Sequence, residues 1–209
     1  MKLLFLLFSF LALFTLSSCQ SNLVKNTHEF NQWLSNPENG CKIKKEVNDM
    51  IIEVKLLPPS YLALKEMEQS NGLKFDSLLS VYKNSTTFLM SFKPKEGHKG
   101  DDVMYKNVIS YKEYVERALE LNFDLESKVV LKSSNREFKP VLSSLENTYG
   151  LTKGRQVYIV FTDNVSKEEL QNEDSLDFIY TDDEFKLGIL HFEFDYNSIK
   201  NNLPKIDLK

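Results

Sequence analysis

The 209-residue chain is poor in the residues that most often announce chemistry, with two cysteines, three histidines and one tryptophan. Glycine and proline are also scarce, at seven and six, while 42% of residues are apolar. That balance excludes a collagen-like or disordered chain and fits one ordinary globular domain, long enough to bury a core without disulfides. Basic excess is missing too. Lys and Arg total 26 against 30 Asp and Glu, a formal charge of −4, and guanidinium groups come only from Arg117, Arg136 and Arg155. A nucleic-acid partner is therefore not expected.

Motifs are absent in the same way. There is no G-x-S-x-G, H-E-x-x-H, G-x-x-x-x-G-K-[ST], paired C-x-x-C or EF-hand spacing. His28, His98 and His191 stand in different segments without ligand-like spacing. No catalytic, cofactor-binding or metal constellation is legible, so the expectation is a protein that is not an enzyme.

Long apolar runs are lacking except at the start. Lys2 precedes Leu3 to Leu16, fourteen residues in which only Ser9 and Thr15 are polar. A membrane-spanning helix needs about 20 apolar residues, so this run fits the core of a secretory signal better than a span. Leu16-Ser17-Ser18-Cys19 follows directly and resembles the bacterial lipobox. The resemblance implies cleavage before Cys19 and a thiol carrying acyl chains such as palmitate, against the alternatives of an ordinary cleaved signal or an uncleaved anchor. Removal of residues 1–18 takes away Lys2 as the one charged residue, leaving 191 residues and a charge of −5.

Two or three acyl chains hold a protein at a membrane far more firmly than one. Gln20 stands where an Asp implies inner-membrane retention in such lipoproteins, so the resemblance favours the outer membrane. The first acidic residue after Cys19 is Glu29, which tilts the expectation toward the periplasmic face rather than the cell surface. With Cys19 lipidated, Cys41 has no thiol to pair with and reads as a small buried residue, the alternative being a reactive thiol.

The expected organisation is a signal peptide at 1–18, a lipidated Cys and polar tether at 19–26, and one domain from 27 to 209. Thr27 caps a helix through Phe30 and Leu34 that ends at Asn36-Pro37. Cys41 to Val47 and Met50 to Leu56 alternate as a hairpin around Asn48-Asp49, with Lys42, Lys44, Glu46, Glu53 and Lys55 toward water. Helices follow from Ser60 and from Leu73 to Tyr82, then a strand through Phe88 and Phe92.

Ser110-Tyr111-Lys112-Glu113 is a capping box opening a helix with Tyr111, Tyr114, Val115 and Ala118 on one stripe and a Glu113–Arg117 pair on its wet face. Strands are expected over 128–132, 137–142 and 155–162, and in a hairpin of 176–181 with 188–194 around Asp182-Asp183-Glu184. There Leu190, Phe192 and Phe194 point inward and His191 outward. A short helix ends before Pro204. The implied fold class is α+β, an antiparallel sheet with helices packed on one face, in a single domain.

Several residues warrant a functional comparison. His191 is a candidate general base oriented by Asp182 or Asp183, or a solvent-facing strand residue. Glu173, Asp174, Asp177, Asp182, Asp183 and Glu184 have the density but not the glycine-punctuated loop of a Ca²⁺ site, and read as solvated turns. Lys93, Lys95, His98 and Lys99 form a small basic loop beside Asp101-Asp102. Tyr105, Tyr111, Tyr149, Tyr180 and Tyr196 lie near element ends, where tyrosines serve as binding anchors. Asp76-Ser77-Leu78 and Asp174-Ser175-Leu176 resemble an Asp-Ser-apolar O-glycosylation acceptor, although helix-start and turn roles explain them as well. Leu57-Pro58-Pro59-Ser60-Tyr61 and Phe192-Glu193-Phe194-Asp195 resemble stretches of uncharacterised lipoproteins of Gram-negative bacteria, which implies no activity.

The function these features favour is a membrane-anchored envelope lipoprotein, a non-enzymatic interaction or assembly module with no cofactor and an envelope protein as partner. A lipoprotein holding a small or lipidic ligand in an apolar cavity is the second reading, and a hydrolase with a site assembled by the fold is the third.

Overall fold

The protein is described here by a computed structural model covering residues 23–208 apart from 96–101, 135, 147–151 and 163–168. The Leu3–Leu16 run and Cys19 lie outside the described residues. Among the described residues, no helix is long and apolar enough to cross a membrane.

Helices and strands follow in the order β1 (Leu23–Val24), α1 (Thr27–Ser35), β2 (Lys42–Val47), β3 (Met50–Leu57), α2 (Pro59–Gln69), α3 (Phe75–Tyr82) and β4 (Ser85–Pro94). Then come α4 (Tyr111–Leu119), a wide π turn (Glu120–Asp124), α5 (Leu125–Lys128), β5 (Val129–Ser133), β6 (Arg136–Phe138), β7 (Leu142–Leu145) and β8 (Arg155–Thr162). The chain closes with α6 (Glu169–Asn172), β9 (Ser175–Asp182), β10 (Gly188–Asp195), α7 (Tyr196–Asn202) and β11 (Lys205–Ile206). This is the expected α+β class in one domain, but the main strands divide into two antiparallel sheets rather than one, and β1 and β11 form a separate two-stranded parallel pair. The order β2-β3-β4-β8-β7 makes a five-stranded sheet and β10-β9-β5-β6 a four-stranded one.

Period-2 alternation explains why the two sheets face each other. Along β8 the buried positions are Arg155, Val157, Ile159 and Phe161, and along β10 Leu190, Phe192 and Phe194. Phe88 on β4 sits among rings from both sheets, with centroids 5.8 Å from Phe161, 5.1 Å from Phe178 and 5.4 Å from Phe194. Such tilted and edge-to-face contacts are the arrangements the ring quadrupole favours. Phe92 meets Tyr180 across the same gap at 5.7 Å.

The β2–β3 hairpin closes at Val47 and Met50, with Asn48 at φ +54, in the left-handed region that Asn tolerates in such turns. Its outer face is not all in water as expected. Lys55 Nζ reaches Asn31 Oδ1 at 3.2 Å and Ser35 Oγ at 3.0 Å on α1, and burial lowers its pKa. On the inner face of β2, Lys45 projects over the Phe192 ring, 5.6 Å from its centroid. An inward charge of this kind blunts a sheet edge against unwanted pairing.

Two further boundaries differ from expectation. Asn26, not Thr27, caps α1, its side chain accepting from Glu29 N at 2.9 Å. Leu23–Val24, expected in the tether, pair in parallel with Lys205–Ile206, and Val24 is buried. The described fold therefore begins at residue 23.

Candidate functional site

The segment around α4 departs most from its expected role. Ser110 caps the helix by accepting from Glu113 N at 3.2 Å, and Glu113 Oε2 accepts from Ile109 N at 2.9 Å. The serine half of the capping box thus forms, while the glutamate reaches past the cap to the residue before it. The Glu113–Arg117 pair does not form. Arg117 is the buried residue of α4, 3% exposed, while of the expected stripe Tyr111 is exposed and Tyr114, Val115 and Ala118 are half-buried, Tyr114 and Ala118 against the core.

Arg117 explains this orientation. Its Nη1 donates to the carbonyls of Val103 at 2.9 Å, Met104 at 3.2 Å and Lys106 at 2.7 Å. Its Nε and Nη2 donate to Glu184 Oε1 at 2.9 and 2.5 Å, and its guanidinium lies 4.9 Å from the Phe185 ring centroid. The Val103–Tyr105 turn is pinned from its other side by Asp102, which accepts from Met104 N at 2.9 Å and from Arg155 Nη2 at 2.5 Å. Val103 and Met104 bury beneath it. The turn is held against the helix, and Tyr105 is placed beside Tyr114.

The result is a ladder of three tyrosines. Tyr105 and Tyr114 stack with centroids 5.0 Å apart and planes 23° from parallel, and Tyr114 and Tyr111 at 6.1 Å and 16°. Tyr114 packs partly on the core. Tyr105 is 56% exposed, Tyr111 81%, and Ile109 between them 93%. Leu119 at the end of α4 and Phe123 in the π turn are also exposed. Single exposed apolar residues are ordinary, but a cluster on a rigid support marks a contact surface.

The other anchor candidates separate. Tyr180 and Tyr196 are buried, and Tyr149 lies outside the described residues. Tyr180 Oη donates to Asp182 Oδ1 at 2.9 Å, and burial pushes its hydroxyl pKa upward.

Asp182 is a correction to the acidic turn read as solvated. It is buried, accepting from Phe185 N at 3.0 Å and Leu187 N at 2.8 Å. It therefore shapes the β9–β10 turn and does not orient His191. The partner of His191 is Asp177, with Nδ1 and Oδ2 2.8 Å apart and the imidazole half exposed. Glu184 is taken by Arg117, and no group of three metal-ligating side chains occurs among the described residues.

Cys41 is buried, and desolvation pushes its thiol pKa from 9.0 up to about 12, the state of a packing residue rather than a reactive one. In the basic loop, Lys95 pairs with Glu46 at 3.0 Å and Lys93 approaches Glu53 at 4.0 Å, while His98 and Lys99 lie outside the described residues. Ser77 sits in the first turn of α3, the helix-start role expected of it, while Ser175, expected in a turn, is the first residue of β9.

A groove of about 550 Å³ lies between α2 and β8. Two polar pairs in it are matched, Lys65 donating to Tyr158 Oη at 3.0 Å and Tyr82 Oη to Glu66. Burial is the larger cause, and that bond the next, of a Tyr82 pKa raised to about 12.

No family model and no curated protein matches the chain. Among solved structures, the crystal structure of a protein of unknown function from Burkholderia pseudomallei K96243 is similar over 86% of this chain and 91% of its own, at 8% identity and a TM-score of 0.37. A likeness that weak carries no argument about fold or function.

Proposed function

We propose that this chain is a lipid-anchored lipoprotein of the cell envelope, held at the outer membrane through Cys19 with its body facing the periplasm. In this reading it acts as a non-enzymatic module that docks a protein partner through Tyr105, Tyr114 and Tyr111. The observation that carries the docking surface is the exposed ladder on a turn fixed by a buried arginine. Tyrosine buries large area with few rotors and keeps a polar tip, which suits an interface anchor, and a pre-ordered support lowers the ordering cost of binding. The anchor rests on the Leu16-Ser17-Ser18-Cys19 sequence after its apolar run.

A cavity for a lipidic ligand has less support. Rings fill the space between the sheets, and the enclosed apolar cavity beside Leu56, Thr86, Tyr196 and Ile199 measures about 50 Å³, room for water rather than an acyl chain.

Two experiments test the proposal separately. Metabolic labelling with a fatty acid must mark the wild-type chain and not Cys19→Ala; an unlabelled wild type or a labelled variant removes the anchor. A photo-crosslinking residue at position 111 in intact cells must give a discrete adduct that Tyr105→Ala weakens. The same probe at Val81, exposed on α3, must not give that adduct. Equal adducts at both positions, or none at 111, would overturn the docking surface.

A further inference from the structure

We propose that Ile109 is the anchor of the docking surface and that its partner is a different protein offering a neutral, apolar pocket, an inference that rests on the surface proposed above. Ile109 is 93% exposed, more than any other large apolar residue described.

Helix geometry normally gives a residue in this position something to touch. Ile109 immediately precedes the Ser110 N-cap, and Tyr114 is the fourth residue of α4. Apolar residues at these two places pack on each other as a hydrophobic staple, which fixes how the chain enters the helix. Here the staple is open. The Tyr114 ring stacks instead with Tyr105 at 5.0 Å and Tyr111 at 6.1 Å, and the isoleucine is left in solvent.

Its backbone is nonetheless held. Glu113, which in a capping box accepts from the N-cap amide, accepts from Ile109 N at 2.9 Å. Just before it, Asn107 turns the chain at φ +58 and Val108 N donates to Tyr105 O at 3.1 Å. A fixed backbone carrying an exposed β-branched side chain is a knob with little freedom left to lose on binding. The exposed Tyr105 and Tyr111 supply the water-excluding rim that such an anchor requires, with hydroxyls for polar groups at its edge.

The surrounding charges define the pocket. Lys106, Lys112, Glu113, Glu116 and Arg117 are all the charged residues from 103 to 119, and each has a partner in its own chain. Lys106 pairs with Asp49, Lys112 with Glu116 at 3.6 Å and Arg117 with Glu184, while Glu113 holds the Ile109 amide. With its charges matched internally, the segment complements a neutral surface. A second copy of the chain is a poor receptacle. Its enclosed apolar cavity of about 50 Å³ is water-sized. The two larger clefts among the described residues, about 400 and 550 Å³, carry Lys132, Arg136 and Asp177 in one and Lys65 and Glu66 in the other.

The test uses detergent-solubilised envelope from cells making the full chain with a photo-crosslinking residue at 111, and purified full chain without that residue as competitor. Wild-type competitor is expected to suppress the adduct. Ile109→Val is expected to compete within about fivefold of wild type and Ile109→Ala to need about tenfold more or higher, in proportion to the methylenes removed. The half-competing concentration is expected to shift less than about threefold from about 50 to about 500 mM salt, a range over which exposed charge contacts are screened. Ile109→Ala must also leave the urea midpoint unchanged, because a side chain that touches nothing supports nothing; a lower midpoint reveals an intramolecular role and overturns the proposal. Equal competition by Ile109→Ala, a strong salt dependence, or an adduct with the mass of two copies of this chain overturns it as well, leaving the tyrosine surface standing. A wild type that gives no adduct at 111 fails at the docking surface itself and takes the anchor with it.

Discussion

Replacing Arg117 with Met keeps much of the aliphatic stem and removes the guanidinium. Three carbonyls, those of Val103, Met104 and Lys106, lose a charged donor, and Glu184, a third exposed, loses its ion-pair partner. Withdrawing one partner from a buried pair costs about 3–5 kcal/mol. Because solvent reaches Glu184, the lower end applies, about 3 kcal/mol, and at this chain length that is a fall in Tm of about 6–12 °C. Glu184→Gln leaves an acceptor in place but strips the counter-charge from a buried guanidinium, and is expected to cost about 1–3 kcal/mol, less than Arg117→Met. Thermal and urea unfolding followed by circular dichroism measure both. Amide exchange must rise selectively at Tyr105 and Val108, whose hydrogen bonds close the turn, and not along β4. A loss for Arg117→Met below about 1 kcal/mol, or exchange unchanged at Tyr105, refutes the claim that this side chain holds the ladder.

Phe88→Ala removes the ring that touches Phe161, Phe178 and Phe194; a loss of about 3–5 kcal/mol in equilibrium unfolding is expected, with both sheets melting together. Cys41 is expected to resist iodoacetamide in the folded chain at pH 8 and to react fully in denaturant, read by mass spectrometry. Its folded pKa is raised from 9.0 to about 12, so the stability it contributes is present below pH 9 and is lost as pH rises from 9 toward 12. Cys41→Ala must flatten that alkaline slope, and an unchanged slope assigns it to other groups.

The parts of the fold written in local periodicity were legible before the structure. Leu190, Phe192 and Phe194 alternate with Ile189, His191 and Glu193, and the strand and its buried side follow from that alone. The division into two sheets was not, because β4 pairs with β8 and β5 with β9 across long stretches of chain, and alternation says which side is buried but not against what. On α4, Tyr111, Tyr114, Val115 and Ala118 spell a core stripe, and Arg117 reads as a surface residue. Tyr114 and Ala118 do pack on the core, but Tyr111 is exposed and Arg117 is buried against Glu184, 67 positions away, which no local pattern announces. Tyr105 and Tyr111 were visible as candidates, but their stacking through Tyr114 was not.

The short parallel pairing of Leu23–Val24 with Lys205–Ile206 sets the geometry of attachment. Residues 20–22 are the whole span between the proposed lipid on Cys19 and the first strand, and three residues reach at most about 10 Å. Because the two terminal strands run in the same direction, the chain enters one end of the pair and leaves from the other. Leu23, where the proposed tether enters, and Ile206 thus lie at opposite ends of the pair, so a label placed just after Ile206 sits at the end away from the tether.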